Sequence, residues 1–274
     1  MIELMDTQAL YLVGISPNHA IDFATKYETK SYGITRVDVG SSTAWVRPID
    51  RSEFEGPDGE RNLADLQWLT PRVMAHDAAV HRISTAFTNV FYPSRFGTLF
   101  SSESVLRSLL VHNAPVLADF FASMAGKREW GIRLHADRLV AGRLVAAAQQ
   151  PTGSLAAAGL NYLRQKQFER DLAYRSEDFI QLGIEAASSY LQNQLSQIVR
   201  RPLVASAPTD ACPVVASFSV LCDHAAEARL NDLINDWNQQ QFTVTAIQAA
   251  LMGPWPAYSF CPSLSTPTAE PIAA

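Results

Sequence analysis

The chain has 274 residues, 47% hydrophobic and 18% charged, with a formal net charge of −5. That length suits two domains that each bury a core without metal or disulfide, and scattered arginines on an acidic chain argue against a nucleic-acid partner. Cys212, Cys222 and Cys261 form no disulfide framework, the first residues carry Glu3 and Asp6 rather than the basic start of a signal peptide, and no apolar run reaches the ~18–20 residues of a membrane span, so the expectation is a cytoplasmic protein with no membrane partner.

In chain order, Ala9 to Ile15 reads as a buried strand closed by Ser16-Pro17-Asn18. Gly33 to Val39 and Thr43 to Pro48 are strand candidates that can form a hairpin across Gly40-Ser41-Ser42. Arg51 to Arg61, with its Gly56-Pro57-Asp58-Gly59, reads as a loop. Leu63 to Ala86 has helical periodicity, with Pro71 either starting or kinking the helix. Val90 to Phe100 is extended, and Ser101 or Ser102 caps a helix that Pro115 bends or splits and Gly126 ends.

The second half is expected to run strand, helix, strand, helix, strand. Its parts are a strand at Glu129 to Leu134, a short helix at Ala141 to Ala148, a long helix from Leu155 to Arg201 ended by Pro202, a strand at Val214 to Leu221, a helix at Ala225 to Gln240 and a strand at Phe242 to Met252. The fold class predicted is α+β: a mixed N-terminal domain over residues 1–126, then a ferredoxin-like domain over 127–260. Residues 261–274, rich in Ser, Thr, Pro and Ala, are expected to be a loosely ordered tail.

The sequence offers little chemistry. His76 and His81 lie five apart, where a helical zinc pair needs four. Cys222-Asp223-His224 lacks a second cluster to complete four ligands. There is no Gly-x-Ser-x-Gly elbow and no glycine-rich loop between a strand and a helix. Carboxylates such as Asp65, Glu169 and Glu177 read as solvated helix faces. No catalytic, cofactor-binding or metal-binding residue is therefore assigned.

Two segments stand out. Pro93-Ser94-Arg95-Phe96-Gly97-Thr98 suggests a fixed backbone path, with the Arg95 guanidinium expected to be buried on carbonyls or an acid. Gly253-Pro254-Trp255-Pro256-Ala257-Tyr258-Ser259-Phe260 combines two stiffening prolines with three aromatics. It reads as a strap that staples the domains through Trp255 and Tyr258, or as a docking surface.

These segments resemble the GvpL/GvpF family of gas vesicle proteins. The family pattern of a helical histidine and valine followed by Val-x-x-Pro-x-Arg-Phe-Gly-Thr is matched by His76, Val80 and Val90 to Phe100. Gly126 to Arg133, Tyr162 to Lys166 and Gly253 to Phe260 match further stretches in the same order. Tyr92 and Ser94 replace usual aliphatics, and Ala257 replaces a usual proline.

The resemblance implies a two-domain α+β fold and an accessory role in gas vesicle assembly. The partners it implies are the hydrophobic shell protein GvpA and other accessory proteins, and it supplies no catalytic residues. Pro93, Arg95, Phe96, Gly97, Glu129, Gly253, Trp255, Tyr258 and Phe260 are the structural or interaction candidates. The alternatives are a ligand-sensing regulator or an enzyme with a site between the domains. A convergent polar pocket favours the enzyme, a closed apolar cavity the sensor, and a broad exposed apolar patch the scaffold.

Overall fold

The computed structural model describes residues 2, 5, 7–18, 33–88, 90–148, 158–195, 198–201 and 213–266. Two compact units result: residues 1–128 with 255–274, and residues 129–254.

In the first unit, β1 (Gln8–Pro17) is buried along nearly its whole length. A strand covered on both faces has no polar side to show, so its sequence is a continuous apolar run rather than an alternation. β2 (Thr35–Val39) and β3 (Ser42–Asp50) form the expected antiparallel hairpin across Gly40-Ser41. The sheet order is β2-β3-β1-β4, where β4 is Tyr92–Pro93; β5 (Leu99–Phe100) also pairs with β1.

The stretch expected to be a loop instead holds a 3₁₀ turn at Arg51–Glu53 and a helix, α1 (Gly56–Ala64). Pro57 sits in the first turn, where a missing N–H breaks no helical bond, and Asp58 pairs with Arg61 at 3.0 Å. α2 (Leu66–Ala86) is capped by the Asp65 carboxylate, which accepts from Gln67 N at 2.9 Å, and it continues through Pro71. α3 (Glu103–His112) and α4 (Ala114–Met124) are split at Asn113 ahead of Pro115 and bend by 69°.

Residues 261–266 belong to this unit. Ser265 N donates to Asn113 Oδ1 at 3.0 Å, Asn113 Nδ2 donates to Ser265 O at 2.8 Å, and Tyr92 Oη donates to Pro262 O at 3.1 Å. The remainder of the expected tail, from residue 267, lies outside the described residues.

The second unit contains most of β6 (Lys127–Ala136), then α5 (Arg138–Ala148), α6 (Ala158–Gln194), β7 (Ile198–Arg201), β8 (Val214–Asp223), α7 (Glu227–Thr245) and most of β9 (Ile247–Trp255). The sheet order β7-β8-β6-β9 places the first and third strands centrally and the second and fourth at the edges, which is the ferredoxin-like arrangement.

Two stretches change element type from the sequence reading. The long helix ends at Gln194, and Ile198–Arg201, expected as its last turn, is a strand paired antiparallel with Ser217–Val220. Pairing outweighs helix propensity where β-branched Ile198 and Val199 can join a ladder. The beginning of that predicted helix, Leu155 to Ala157, and Pro202 at its end lie outside the described residues.

Phe242–Thr245, expected in the last strand, continues α7. The helix stops at Ala246, which takes the left-handed conformation (φ 56°) and donates its N–H to Phe242 O at 2.9 Å. This C-terminal cap normally announces itself with glycine.

The core of this unit gathers Ile132, Leu134, Ile180, Leu191, Phe218, Leu230, Ile234, Trp237 and Ile247. Each fully buried aliphatic or aromatic side chain of this kind contributes about 2 kcal/mol. Gly183 of α6 lets that helix approach β9: a Cβ there would lie 2.7 Å from Ile247 Cγ1 and 2.8 Å from the Thr245 carbonyl oxygen. Asn238 bonds both backbone groups of Ala249, donating to its carbonyl at 2.9 Å and accepting from its N–H at 2.8 Å, which blunts that edge of the sheet.

Candidate functional site

The Pro93–Thr98 segment is held by backbone bonds on every side. Ser94 N donates to Val13 O at 3.1 Å, Ser94 Oγ donates to Leu12 O, and Leu12 N donates to Thr98 O at 2.9 Å. Within the segment, Thr98 N and Thr98 Oγ1 both donate to Arg95 O, at 3.2 and 2.7 Å. That bond closes a β-turn with Gly97 at its third position. Gly97 has φ +81°, and a notional Cβ would meet only the Phe54 ring at 3.8 Å, an ordinary contact, so the backbone conformation rather than lack of room demands the glycine.

Behind the turn lies a buried polar chain. His76, on the inner side of α2, is 5% exposed. Its Nε2 lies 3.1 Å from Ser94 O and its Nδ1 lies 2.8 Å from Tyr11 Oη. A carbonyl can only accept, so Nε2 carries the proton and donates to Ser94. Neutral Nδ1 then accepts from the Tyr11 hydroxyl, which itself receives the Gly97 N–H at 3.4 Å.

Burial holds the His76 imidazole below its ordinary pKa, against the opposing pull of its bond to Ser94 and of Asp77. Burial likewise raises the Tyr11 phenol to about 12, so the chain is uncharged at neutral pH. Phe96 stands 5.8 Å from the His76 ring and 6.1 Å from Tyr11, while Phe54 lies 5.6 Å from Tyr11 and 5.5 Å from Trp68. One histidine, one tyrosine and one turn therefore lock α2, β1 and the Pro93–Thr98 segment together.

The candidate residues fall into distinct environments. Pro93, Phe96 and Gly97 are part of this lock, and Pro93 is buried. Arg95 corrects the sequence reading: its side chain is exposed, and among the described residues it makes no hydrogen bond. The residue serves the turn through its carbonyl, a role visible only once the turn is built.

Trp255 also departs from the strap reading, being 41% exposed. The buried members of that segment are Pro256 and Ala257, and Tyr258 packs onto the Tyr11–Phe91 core of the first unit, its phenol pushed up chiefly by burial. Phe260 N donates to Ala257 O at 3.2 Å. Gly253 is exposed and the Gly253–Pro254 peptide is cis. Glu129 lies on β6 and is 5% exposed. The structure thus brings together Pro93, Phe96, Gly97 and Tyr258, while Glu129 and Gly253 belong to the other unit.

His81 is exposed, unlike His76, and His224 pairs with Glu227 at 3.1 Å. Among the described residues no three metal-ligating side chains converge.

On the outward side of the locked helix, Leu66 and Val73, two of the apolar residues behind its helical periodicity, stand in solvent rather than in the core. Leu66 is 72% exposed, Met74 66% and Val73 39%, and Leu63 at the end of α1 is 42% exposed. Leu66 and Val73 are seven residues apart and so share a helix face. The first half of α2 leaves Leu66, Val73 and Met74 exposed and half-buries Trp68 and Leu69, while its second half buries His76, Val80 and Ile83. Among the described residues no single helix is long and apolar enough to cross a membrane.

Two α+β units, the second ferredoxin-like and the first built on a histidine-locked Pro-Ser-Arg-Phe-Gly-Thr turn, define a narrow class of protein. The family model described as gas vesicle synthesis protein GvpL/GvpF matches residues 9–262, and the chain belongs to that family. It is 26% identical over 231 residues to gas vesicle protein L of Streptomyces sp. (strain CB03234), covering 81% of this chain and 80% of that protein. It is 24% identical over 213 residues to gas vesicle protein L2 of Halobacterium salinarum, covering 74% and 75%.

Crystal structures of GvpF from Anabaena sp. PCC7120 and from Microcystis aeruginosa share the fold. Each has a TM-score of 0.58 at 16% identity and covers 92% of this chain, with 95% and 98% of the respective structures matched. Family membership gives the chain a role in gas vesicles.

Proposed function

We propose that the chain is a non-catalytic, cytoplasmic accessory protein of gas vesicle assembly that binds the hydrophobic shell protein GvpA, and other accessory proteins, without nucleic acid or membrane. The observation that carries the reading is the solvated apolar shoulder of Leu63, Leu66, Val73 and Met74. Exposed apolar side chains gathered on one helix and its approach mark an interaction site, and a very hydrophobic shell subunit is the partner whose chemistry matches them. The His76 lock supports the reading by fixing the helix that presents the shoulder, so that the surface is preorganised before it meets a partner.

Co-purification with GvpA tests the proposal. Leu66→Ser with Met74→Ser touches only exposed side chains and should change stability by no more than about 0.5 kcal/mol, yet it should abolish capture of GvpA. Capture at the wild-type level by that folded double variant would sink the assignment of the shoulder. Absence of GvpA capture by the wild-type chain would sink the proposed partner.

A further inference from the structure

We propose that the cleft between β3 and the first half of α2 is a binding site for a single carboxylate, received by Arg47. The inference is independent of the shell-binding reading.

Arg47 occupies an unusual place. It pairs across the sheet with Tyr11 and alternates along β3 with Trp45 and Ile49, which belong to the core of this unit. A residue in that series is expected to be apolar. Arg47 Nε is instead buried with no hydrogen-bond partner, and among the described residues the guanidinium makes no ion pair. Its one close companion is the Tyr11 ring, with Arg47 Cζ 4.8 Å from the ring centroid. A guanidinium stays charged at any physiological pH, and cation–π attraction supplies no acceptor for its N–H groups.

The neighbours supply none either. The Tyr11 hydroxyl is committed to His76 and Gly97, and both Tyr11 and His76 are neutral. The cleft, of about 580 Å³, is lined by Arg47, Asp50, Glu53 and Arg72 over a floor that includes Ile49 and Ala75. Its other charges are engaged. Arg72 donates to Glu53 at 3.4 Å and to Trp68 O at 3.3 Å, and it stacks on Trp68 at 4.0 Å. Asp50 accepts from the N–H and hydroxyl of Ser52 at 2.9 and 2.8 Å. Among the charged side chains lining the cleft, Arg47 is the one that makes no hydrogen bond or ion pair with a described residue.

The planar fork of a guanidinium matches the two oxygens of a carboxylate, and the volume suits a small ligand or an inserted side chain. Two arginines against Asp50 and Glu53 leave no excess positive charge, so a monoanion fits better than a dianion. The apolar floor suits the aliphatic stem of a simple carboxylic acid or of a glutamate side chain.

The test titrates the full chain at constant ionic strength with acetate, with an end-blocked tripeptide bearing one glutamate, and with inorganic phosphate, reading the arginine Nε–Hε resonances by NMR. The expected result is saturable binding of acetate or of the peptide, at least tenfold weaker in Arg47→Lys and lost in Arg47→Met. Acetate binding as tightly as the peptide identifies a free acid as sufficient; a peptide at least tenfold tighter than acetate identifies a partner's side chain. Arg47→Met should melt at or above the wild-type temperature, because the unpaired charge serves ligand rather than fold. Absence of saturable binding of either carboxylate overturns the proposal, as does phosphate binding as tight as acetate. Undiminished carboxylate binding in a folded Arg47→Met overturns it too, and a melting temperature several degrees below wild type in that variant assigns Arg47 to the fold instead.

Discussion

Replacing His76 by alanine removes both bonds of the buried lock at once. The Ser94 carbonyl loses its imidazole donor, and the Tyr11 hydroxyl, on a residue only 1% exposed, loses its acceptor. Each buried group left unpaired costs about 1–3 kcal/mol. The imidazole also packs edge-on against Phe96 and Tyr11, so a cavity term adds to these losses. The total should be about 3–5 kcal/mol at pH 7.5, measured by urea denaturation with Trp45 and Trp68 reporting on the first unit. Tyr11→Phe, which removes only the hydroxyl, should cost about 1–2 kcal/mol. A double-mutant cycle of the two should return a coupling of about 1 kcal/mol or more.

The same residue sets a pH dependence. Burial depresses the folded-state pKa of His76, whereas the unfolded chain titrates near 6.5. Below about pH 6.5 the unfolded chain therefore takes up a proton that the folded chain refuses. The stability from neutral His76 is complete above that pH and is lost as pH falls, by at most about 1.4 kcal/mol per pH unit. His76→Gln should remove this slope. A loss below about 0.5 kcal/mol in His76→Ala, with no change of slope between pH 6.5 and 5, would refute the lock.

Two further outcomes follow from individual contacts. Arg95→Ala should change stability by less than about 0.5 kcal/mol, because the guanidinium is exposed and the turn uses only the carbonyl; a larger loss in thermal melting would restore a structural role for the side chain. Gly183→Ala should cost about 1–3 kcal/mol in urea denaturation, since the added methyl meets the Thr245 backbone as well as Ile247; an unchanged midpoint would show that α6 stands further from β9 than described.

Legibility in the sequence followed the range of the interactions. β1 was readable because burial on both faces leaves a continuous apolar run, and the α3–α4 break was readable because Pro115 cannot continue a helix. The Pro93–Thr98 turn was visible in its proline and glycine. What its arginine did was not, because that depends on which atom of Arg95 the turn consumes.

The lock joins His76 to a tyrosine 65 residues away, and nothing local to either residue marks the pairing. α1 was hidden by Gly-Pro-Asp-Gly, a loop signature that also suits a helix start. The end of α7 was hidden because Ala246 takes a left-handed cap without glycine. An arginine in phase with Trp45 and Ile49 marks Arg47, whereas Leu66 and Val73 share the helical periodicity of the buried residues that follow, so periodicity alone does not reveal that they stand in solvent.

The central claim is that the shoulder of α1 and α2 is where the chain meets the shell protein. Hydrogen–deuterium exchange of the full chain with and without GvpA tests it directly. The account predicts slowed exchange confined to α1 and the first half of α2, residues 56–75, on addition of GvpA. Slowed exchange elsewhere in the chain, with residues 56–75 unchanged in a complex of demonstrated stoichiometry, would contradict it.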